Sequence, residues 1–163
     1  MESPNQPVLL ANKLIAETNA NLFLTGKAGT GKTTFLKNLK QSVTKRMVVL
    51  APTGVAAINA GGMTIHSFFQ LKFGPFLPNG HKEKEGWFRK EKLQIIRTLD
   101  LLVIDEISMV RSDVLDAIDD TLRRIRRSHK PFGGVQLLMI GDIEQLPPVV
   151  KDEEWMLLKE YYE

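Results

Sequence analysis

The chain has 163 residues, of which 43% are hydrophobic and 25% charged, the make-up of one ordinary globular domain with a core of its own. It contains no cysteine, which excludes a disulfide framework and a thiolate metal site, and no apolar run approaches the length of a membrane span. A net charge of +3 leans mildly toward an anionic partner, and the chain reads as cytoplasmic or nuclear.

Residues 7–18 predict a helix, with Pro7 at its first position and Leu10, Leu14 and Ile15 on one face. Gln6 stands just before it, where it either caps the helix or reads an adenine edge. The apolar run Leu22-Phe23-Leu24 predicts a strand leading into Gly26-Lys27-Ala28-Gly29-Thr30-Gly31-Lys32-Thr33. That stretch fits G-x-x-x-x-G-K-[ST], and residues 33–39 after it, including Thr34, are helix-compatible. The chemistry follows from the residue types. Gly26, Gly29 and Gly31 are expected to take positive φ and let the backbone approach a polyphosphate. Backbone N–H groups and the helix N-terminus then face the anion. Lys32 brings a compact charge for the β- and γ-phosphates of ATP, and Thr33 a hydroxyl for Mg²⁺.

Residues 47–51 predict a second buried strand. A turn, a short helix and a Gly-Gly stop follow over 52–62. His66 has no cysteine or second histidine at metal-binding spacing, so it reads as a helix-start or hydrogen-bonded histidine. Residues 72–92 mix Pro and Gly with Phe, Trp, Lys and Arg and predict a projecting insertion. Its aromatic residues either anchor the loop or offer a stacking surface for a nucleic-acid strand.

Residues 99–106 predict a third strand that ends in Asp105 and Glu106. In a phosphate-loop enzyme the first carboxylate helps hold Mg²⁺, and the second is placed to activate water. Residues 112–127 predict an amphipathic helix capped by Ser112, with Val114, Leu115, Ile118, Leu122 and Ile125 as its buried stripe. Arg123, Arg124, Arg126, Arg127 and Lys130 crowd its C-terminal end, where they either answer the helix dipole or face phosphates. A fourth strand over 135–140 runs into Gly141-Asp142-Ile143-Glu144-Gln145, and Gln145 just past its end is expected either to sense a γ-phosphate or to position water. The expected fold class is α/β, a doubly wound sheet of four parallel strands flanked by helices, with the ligand at the carboxyl ends of the strands.

Taken together, Gly-Lys-Ala-Gly-Thr-Gly-Lys-Thr-Thr at 26–34, Ala-Pro-Thr-Gly-Val-Ala-Ala at 51–57, Thr-Ile-His-Ser-Phe-Phe at 64–69, Ile-Asp-Glu-Ile-Ser-Met-Val at 104–110 and Gly-Asp-Ile-Glu-Gln-Leu-Pro-Pro-Val at 141–149 resemble the first motor domain of a PIF-one-type DNA helicase. The run from Arg123 to Leu137 resembles that family's own signature. The resemblance implies a RecA-like phosphate-loop domain over 1–163, working with ATP and Mg²⁺ in a 5′-to-3′ helicase of superfamily one. It implies phosphate contacts at Gly26, Ala28, Gly29, Thr30, Gly31, Lys32, Thr33 and Thr34, adenine reading at Gln6, and metal ligation by Thr33 and Asp105. Glu106 becomes the base, and Gln145 and Lys32 assist it at the γ-phosphate. Pro52, Thr53, Gly54, Val55, Thr64 and His66 are expected along single-stranded DNA, with duplex or structured DNA met near the insertion. No membrane partner is implied. The arginines that complete catalysis in this family come from a second motor domain, so the 163 residues are expected to bind Mg-ATP and hydrolyse it slowly. Two other readings fit the same motifs: a phosphate-loop ATPase that loads or remodels proteins, and a nucleotide-gated DNA-binding module without turnover.

Overall fold

The strands β1 (Leu22–Thr25), β2 (Met47–Ala51), β3 (Met63–Thr64), β4 (Leu101–Ile104) and β5 (Gln136–Gly141) form a parallel sheet in the order β1-β5-β4-β2-β3. They belong to a computed structural model that describes residues 6–78 and 88–162. Every residue of β4 is buried, because helices cover both faces of the sheet. Side chains alternate across it. Leu102 and Ile104 join a core with Ile65, Phe68, Ile96, Ile118 and Leu122. Leu101 and Val103 join the opposite one with Ile15, Phe35, Leu36 and Leu39. The second core is built by α1 (Gln6–Glu17) and α2 (Lys32–Ser42), and the first by α4 (Ile65–Phe69), α5 (Lys90–Thr98) and α6 (Ser112–Arg126). Between β2 and β3 lies α3 (Gly54–Ala60), and α7 (Asp152–Leu158) follows the sheet. Among the described residues no helix is long and apolar enough to cross a membrane.

The doubly wound parallel architecture agrees with the sequence reading, with several corrections. The sheet has a fifth strand, β3, at its edge, where Leu50 pairs with Met63 and Ala51 with Thr64. Two residues are too short to display an alternating pattern. Helix α5 begins at Lys90, inside the expected insertion, and its carbonyls are tied back by Arg126, whose guanidinium donates to Ile96 O, Arg97 O and Leu99 O. Arg126 therefore closes a helix end rather than facing phosphates. In α1 the buried stripe runs through Ala11 and Ile15, while Leu10, one residue and 100° around the helix from Ala11, is 57% exposed. Gln6 is already helical and exposed, rather than a residue outside the helix. Of the insertion, residues 79–87 lie outside the described part. Phe76 and Phe88 pack against the core, which makes them anchors. Phe73 is 92% exposed and stacks on His66 with ring centroids 5.1 Å apart.

Ser112 does not cap α6. The cap position is Arg111, and the helix start is held by charge instead. Asp113, 1% exposed, accepts two bonds from the Arg111 guanidinium, at 2.9 and 2.7 Å, and one from the Phe76 amide at 2.9 Å. Arg111 also donates to Glu154 of α7 at 2.8 Å and to Gly74 O at 3.0 Å. One arginine thus fastens the base of the insertion, α6 and α7 together. Arg111→Ala leaves a buried carboxylate without its counter-charge and is expected to destabilise the domain by about 3 kcal/mol. Urea unfolding followed by circular dichroism measures it; a loss under about 1 kcal/mol contradicts the role given to this pair.

Candidate active site

The phosphate loop connects β1 to α2, and its glycines divide into two kinds. Gly29 (φ 79) and Gly31 (φ 91) occupy the left-handed region, where a side chain is disfavoured. Gly26 does not share that conformation, contrary to expectation. Here glycine leaves room for the Thr30 hydroxyl, since a Cβ would stand 2.8 Å from Thr30 Oγ1 and push it aside. Thr30 in turn donates to Lys27 O at 2.8 Å, which folds the loop on itself. Gly31 is the N-cap of α2 and carries no side chain to satisfy the first amides of the helix, so the amides are left facing the loop. Ala28, Gly29, Thr30, Gly31, Thr33 and Thr34 are exposed. Lys32 bridges back to the carbonyls of Gly26 and Lys27, the latter at 2.9 Å.

Asp105 and Glu106 leave the C-terminal end of β4, two strands away from β1. The Asp105 amide still donates to Leu50 O of β2 at 2.8 Å, so its position is fixed by the sheet. Its carboxylate accepts the Glu106 N–H at 3.0 Å. Glu106 takes φ 54 and ψ 46, a left-handed conformation uncommon for a residue with a side chain. Burial pushes the Asp105 carboxyl above its ordinary pKa, against the pull of the Glu106 amide and the Lys32 ammonium. Burial also raises Glu106, helped by the charges of Asp105 and Asp142 and opposed by Lys32. Lys32, Asp105, Glu106 and Asp142 therefore share one electrostatic neighbourhood.

Asp142 joins the site without a role predicted from the sequence. It is 6% exposed, its carboxylate accepts the Glu144 amide at 3.1 Å, and its carbonyl accepts the Gln145 amide at 3.0 Å. It shapes the turn that carries Gln145, whose side chain is exposed. A polar residue one step past a buried strand was the available signal.

The oxygen donors of Thr33 and Asp105 suit a hard divalent cation. Among the described residues no group of three His, Cys, Asp or Glu side chains could hold a metal alone. That composition fits Mg²⁺, which keeps waters and phosphate oxygens as ligands and needs few from protein.

The second group of predicted residues lies at the ends of β2 and β3. Pairing of Ala51 with Thr64 sets residues 52–55 beside 64–66. Thr53 and Thr64 are N-caps of α3 and α4, and each hydroxyl accepts a backbone N–H at 3.2 Å. Gly54 and Val55 are exposed, Val55 by 72%, and Pro52 is half-buried. His66 is half-buried against Phe73, and burial and the nearby Arg111 lower its pKa, with Asp113 opposing them. Its ring is thus a neutral stacking surface near pH 7. Gly62 packs directly on β2, since a Cβ would stand 2.2 Å from Val49 O, and this close approach sets the spacing of the two segments.

Residues 6–157 match the family model described as PIF1-like helicase. The chain is 42% identical over 143 residues to the ATP-dependent DNA helicase PIF1 of Saccharomyces cerevisiae, covering 85% of this chain and 16% of that one. It superposes on the crystal structure of Bacteroides Pif1 bound to single-stranded DNA with a TM-score of 0.91 and 48% identity, covering 100% of this chain and 37% of the other. A second structure, Bacteroides sp Pif1 in complex with ADP-AlF4, gives a TM-score of 0.93 at 47% identity, again over 37% of the longer chain. The chain spans well under half the length of each of these relatives.

Proposed function

The chain belongs to the PIF1-like helicase family, and from that premise we propose that it is the ATP- and single-stranded-DNA-binding motor domain of a 5′-to-3′ DNA helicase. The observation that carries the proposal is the meeting of a phosphate loop, through Lys32, with Asp105 and Glu106 at the carboxyl ends of parallel strands.

The amides of the loop and of the first turn of α2 hold the nucleotide phosphates, and Lys32 turns from the loop carbonyls to neutralise them. Thr33 and Asp105 would hold Mg²⁺, which would supply charge withdrawal from the phosphate oxygens. Water attacks the γ-phosphorus as the bond to the β-phosphate bridging oxygen breaks, and Glu106 accepts the proton that the water gives up. Burial, and after it the carboxylates of Asp105 and Asp142, raise the proton affinity of Glu106, which suits a base. Gln145 orients the water or the γ-phosphate from the turn shaped by Asp142. Gln6 contacts adenine. The arginines that stabilise the transferring phosphate, worth roughly 10³–10⁵ in rate, come from a second motor domain of a longer chain.

Single-stranded DNA runs over Pro52, Thr53, Gly54, Val55, Thr64 and His66. The cap hydroxyls of Thr53 and Thr64 hold the two turns in place, and the exposed Val55 and the neutral His66 ring offer stacking and apolar contact. Val55→Glu puts a charge against the phosphodiester chain at a position that contributes nothing to the core. It is expected to weaken single-stranded DNA binding at least roughly tenfold, while leaving nucleotide affinity within twofold. Fluorescence anisotropy with a labelled oligonucleotide at fixed salt measures this. Unchanged DNA affinity removes the track from these segments.

A further inference from the structure

We propose that Gly141 is a positioning residue for Glu106: its missing side chain leaves the seat on which the turn carrying the base is packed. The inference rests on the assignment of Glu106 as the base. Gly141 closes β5 and pairs with Thr25 of β1, the residue before the phosphate loop. On the other side, the chain leaves β4, passes Asp105 and Glu106, and folds into a 3-10 turn over Ile107–Met109.

That turn presses on Gly141. A Cβ there would stand 2.9 Å from Ile107 Cγ2, 3.1 Å from Ile107 N and 3.4 Å from Ser108 N. Gly141 is absent from the residues with positive φ, so its backbone conformation does not require glycine and the contact does. The nearest of the three is the Ile107 methyl, the Ile107 amide nitrogen is tight and is backbone that cannot rotate away, and Ser108 N lies at ordinary contact distance. Glu106 is bonded directly into the same turn: its carbonyl accepts the Met109 amide at 3.0 Å. Its left-handed φ of 54 is an arrangement that persists only where the surroundings enforce it. The Ser108 hydroxyl is sealed from solvent without a hydrogen-bond partner, so the turn is located by packing and not by its own side chain. Adding one methyl group at Gly141 strikes the Ile107 Cγ2 methyl and crowds the Ile107 amide, which displaces Ile107 and with it the adjoining Glu106 carboxylate. A base moved by a fraction of an ångström to an ångström loses rate while the phosphate loop, on the other side of β5, keeps its grip on nucleotide.

The test is single-turnover ATP hydrolysis, at saturating single-stranded DNA, by a chain that carries both motor domains. Gly141→Ala is expected to slow it about tenfold to hundredfold, with the Kd for a fluorescent ATP analogue unchanged within twofold. Ile107→Ala removes the Cγ2 methyl group that the new Cβ strikes. The pair Gly141→Ala with Ile107→Ala is expected to be faster than Gly141→Ala alone, whereas Gly141→Ala with Ile107→Val, which keeps that methyl, is not. A wild-type rate in Gly141→Ala overturns the proposal. So does a chain that fails to fold, a Kd that weakens in step with the rate, or a double variant no faster than the single one. Glu106→Gln in the same assay separates the two levels. Undiminished turnover there removes the base itself, while its loss alongside an unimpaired Gly141→Ala removes only the positioning role.

Discussion

Lys32→Ala is expected to weaken ATP binding roughly 30- to 150-fold without disturbing the fold. Lys32 is the first residue of α2, its ammonium touches only the carbonyls of Gly26 and Lys27, and it belongs to neither core cluster. Alanine is a good residue for a helix, so the backbone has no reason to change. The change removes a charge-assisted contact to phosphate, worth about 2–3 kcal/mol, and converts to that range of affinity. It also takes away a cation that opposes the raised proton affinities of Asp105 and Glu106, leaving their negative charges facing the incoming phosphates. Titration with a fluorescent ATP analogue, beside a thermal melt, separates the two effects. A Kd within threefold of the wild type contradicts the assignment of the loop.

Glu106→Gln is expected to act in the opposite sense on binding and more strongly on turnover. Glutamine keeps the shape of the side chain and tolerates the left-handed backbone no worse than glutamate. What it loses is the capacity to accept a proton, and general-base catalysis is worth roughly 10²–10⁴ in rate. What it gains is relief from burying a charge and from repulsion by Asp105 and Asp142, the causes that raise the glutamate pKa. Nucleotide affinity is therefore expected to hold or tighten while hydrolysis by a chain with both motor domains falls by about a thousandfold. Rate and Kd measured on the same preparation decide it. Turnover within tenfold of the wild type assigns the proton to another acceptor.

The parts of the fold that were legible in the sequence are those with strong local signals. The phosphate loop joins a fixed spacing to two residues that need glycine geometry, Gly29 and Gly31. The strands β2, β4 and, past the buried Gln136, β5 are apolar on both faces because both faces are covered, and their sequences are apolar runs. The stripe Val114, Ile118, Leu122 and Ile125 follows helical spacing over 15 residues, long enough to be unambiguous. The parts that were not legible depend on contacts distant in sequence. Nothing near Arg111 announces that Gly74 and Glu154 come to meet it. Ser112 carried a good cap signal, yet the buried ion pair of Arg111 with Asp113 sets the start of α6 one residue earlier. For the arginines at the C-terminal end of α6 the sequence leaves two roles open. Arg126 proves to be spent on four backbone carbonyls, a use that no local pattern encodes. At the candidate site the chemistry-bearing residues were readable by type. The packing that aims them was not, because the need for Gly141 arises from Ile107, 34 positions earlier in the chain.

The most direct measurement is ATP hydrolysis with and without single-stranded DNA, by this chain beside a form extended through a second motor domain. The expected result is brisk, DNA-stimulated turnover in the extended form and turnover lower by roughly 10³ or more in the 163 residues, which still bind nucleotide through Lys32. Brisk hydrolysis by the 163 residues alone, indifferent to DNA, would contradict it and identify an ATPase whose catalytic groups are complete within this domain.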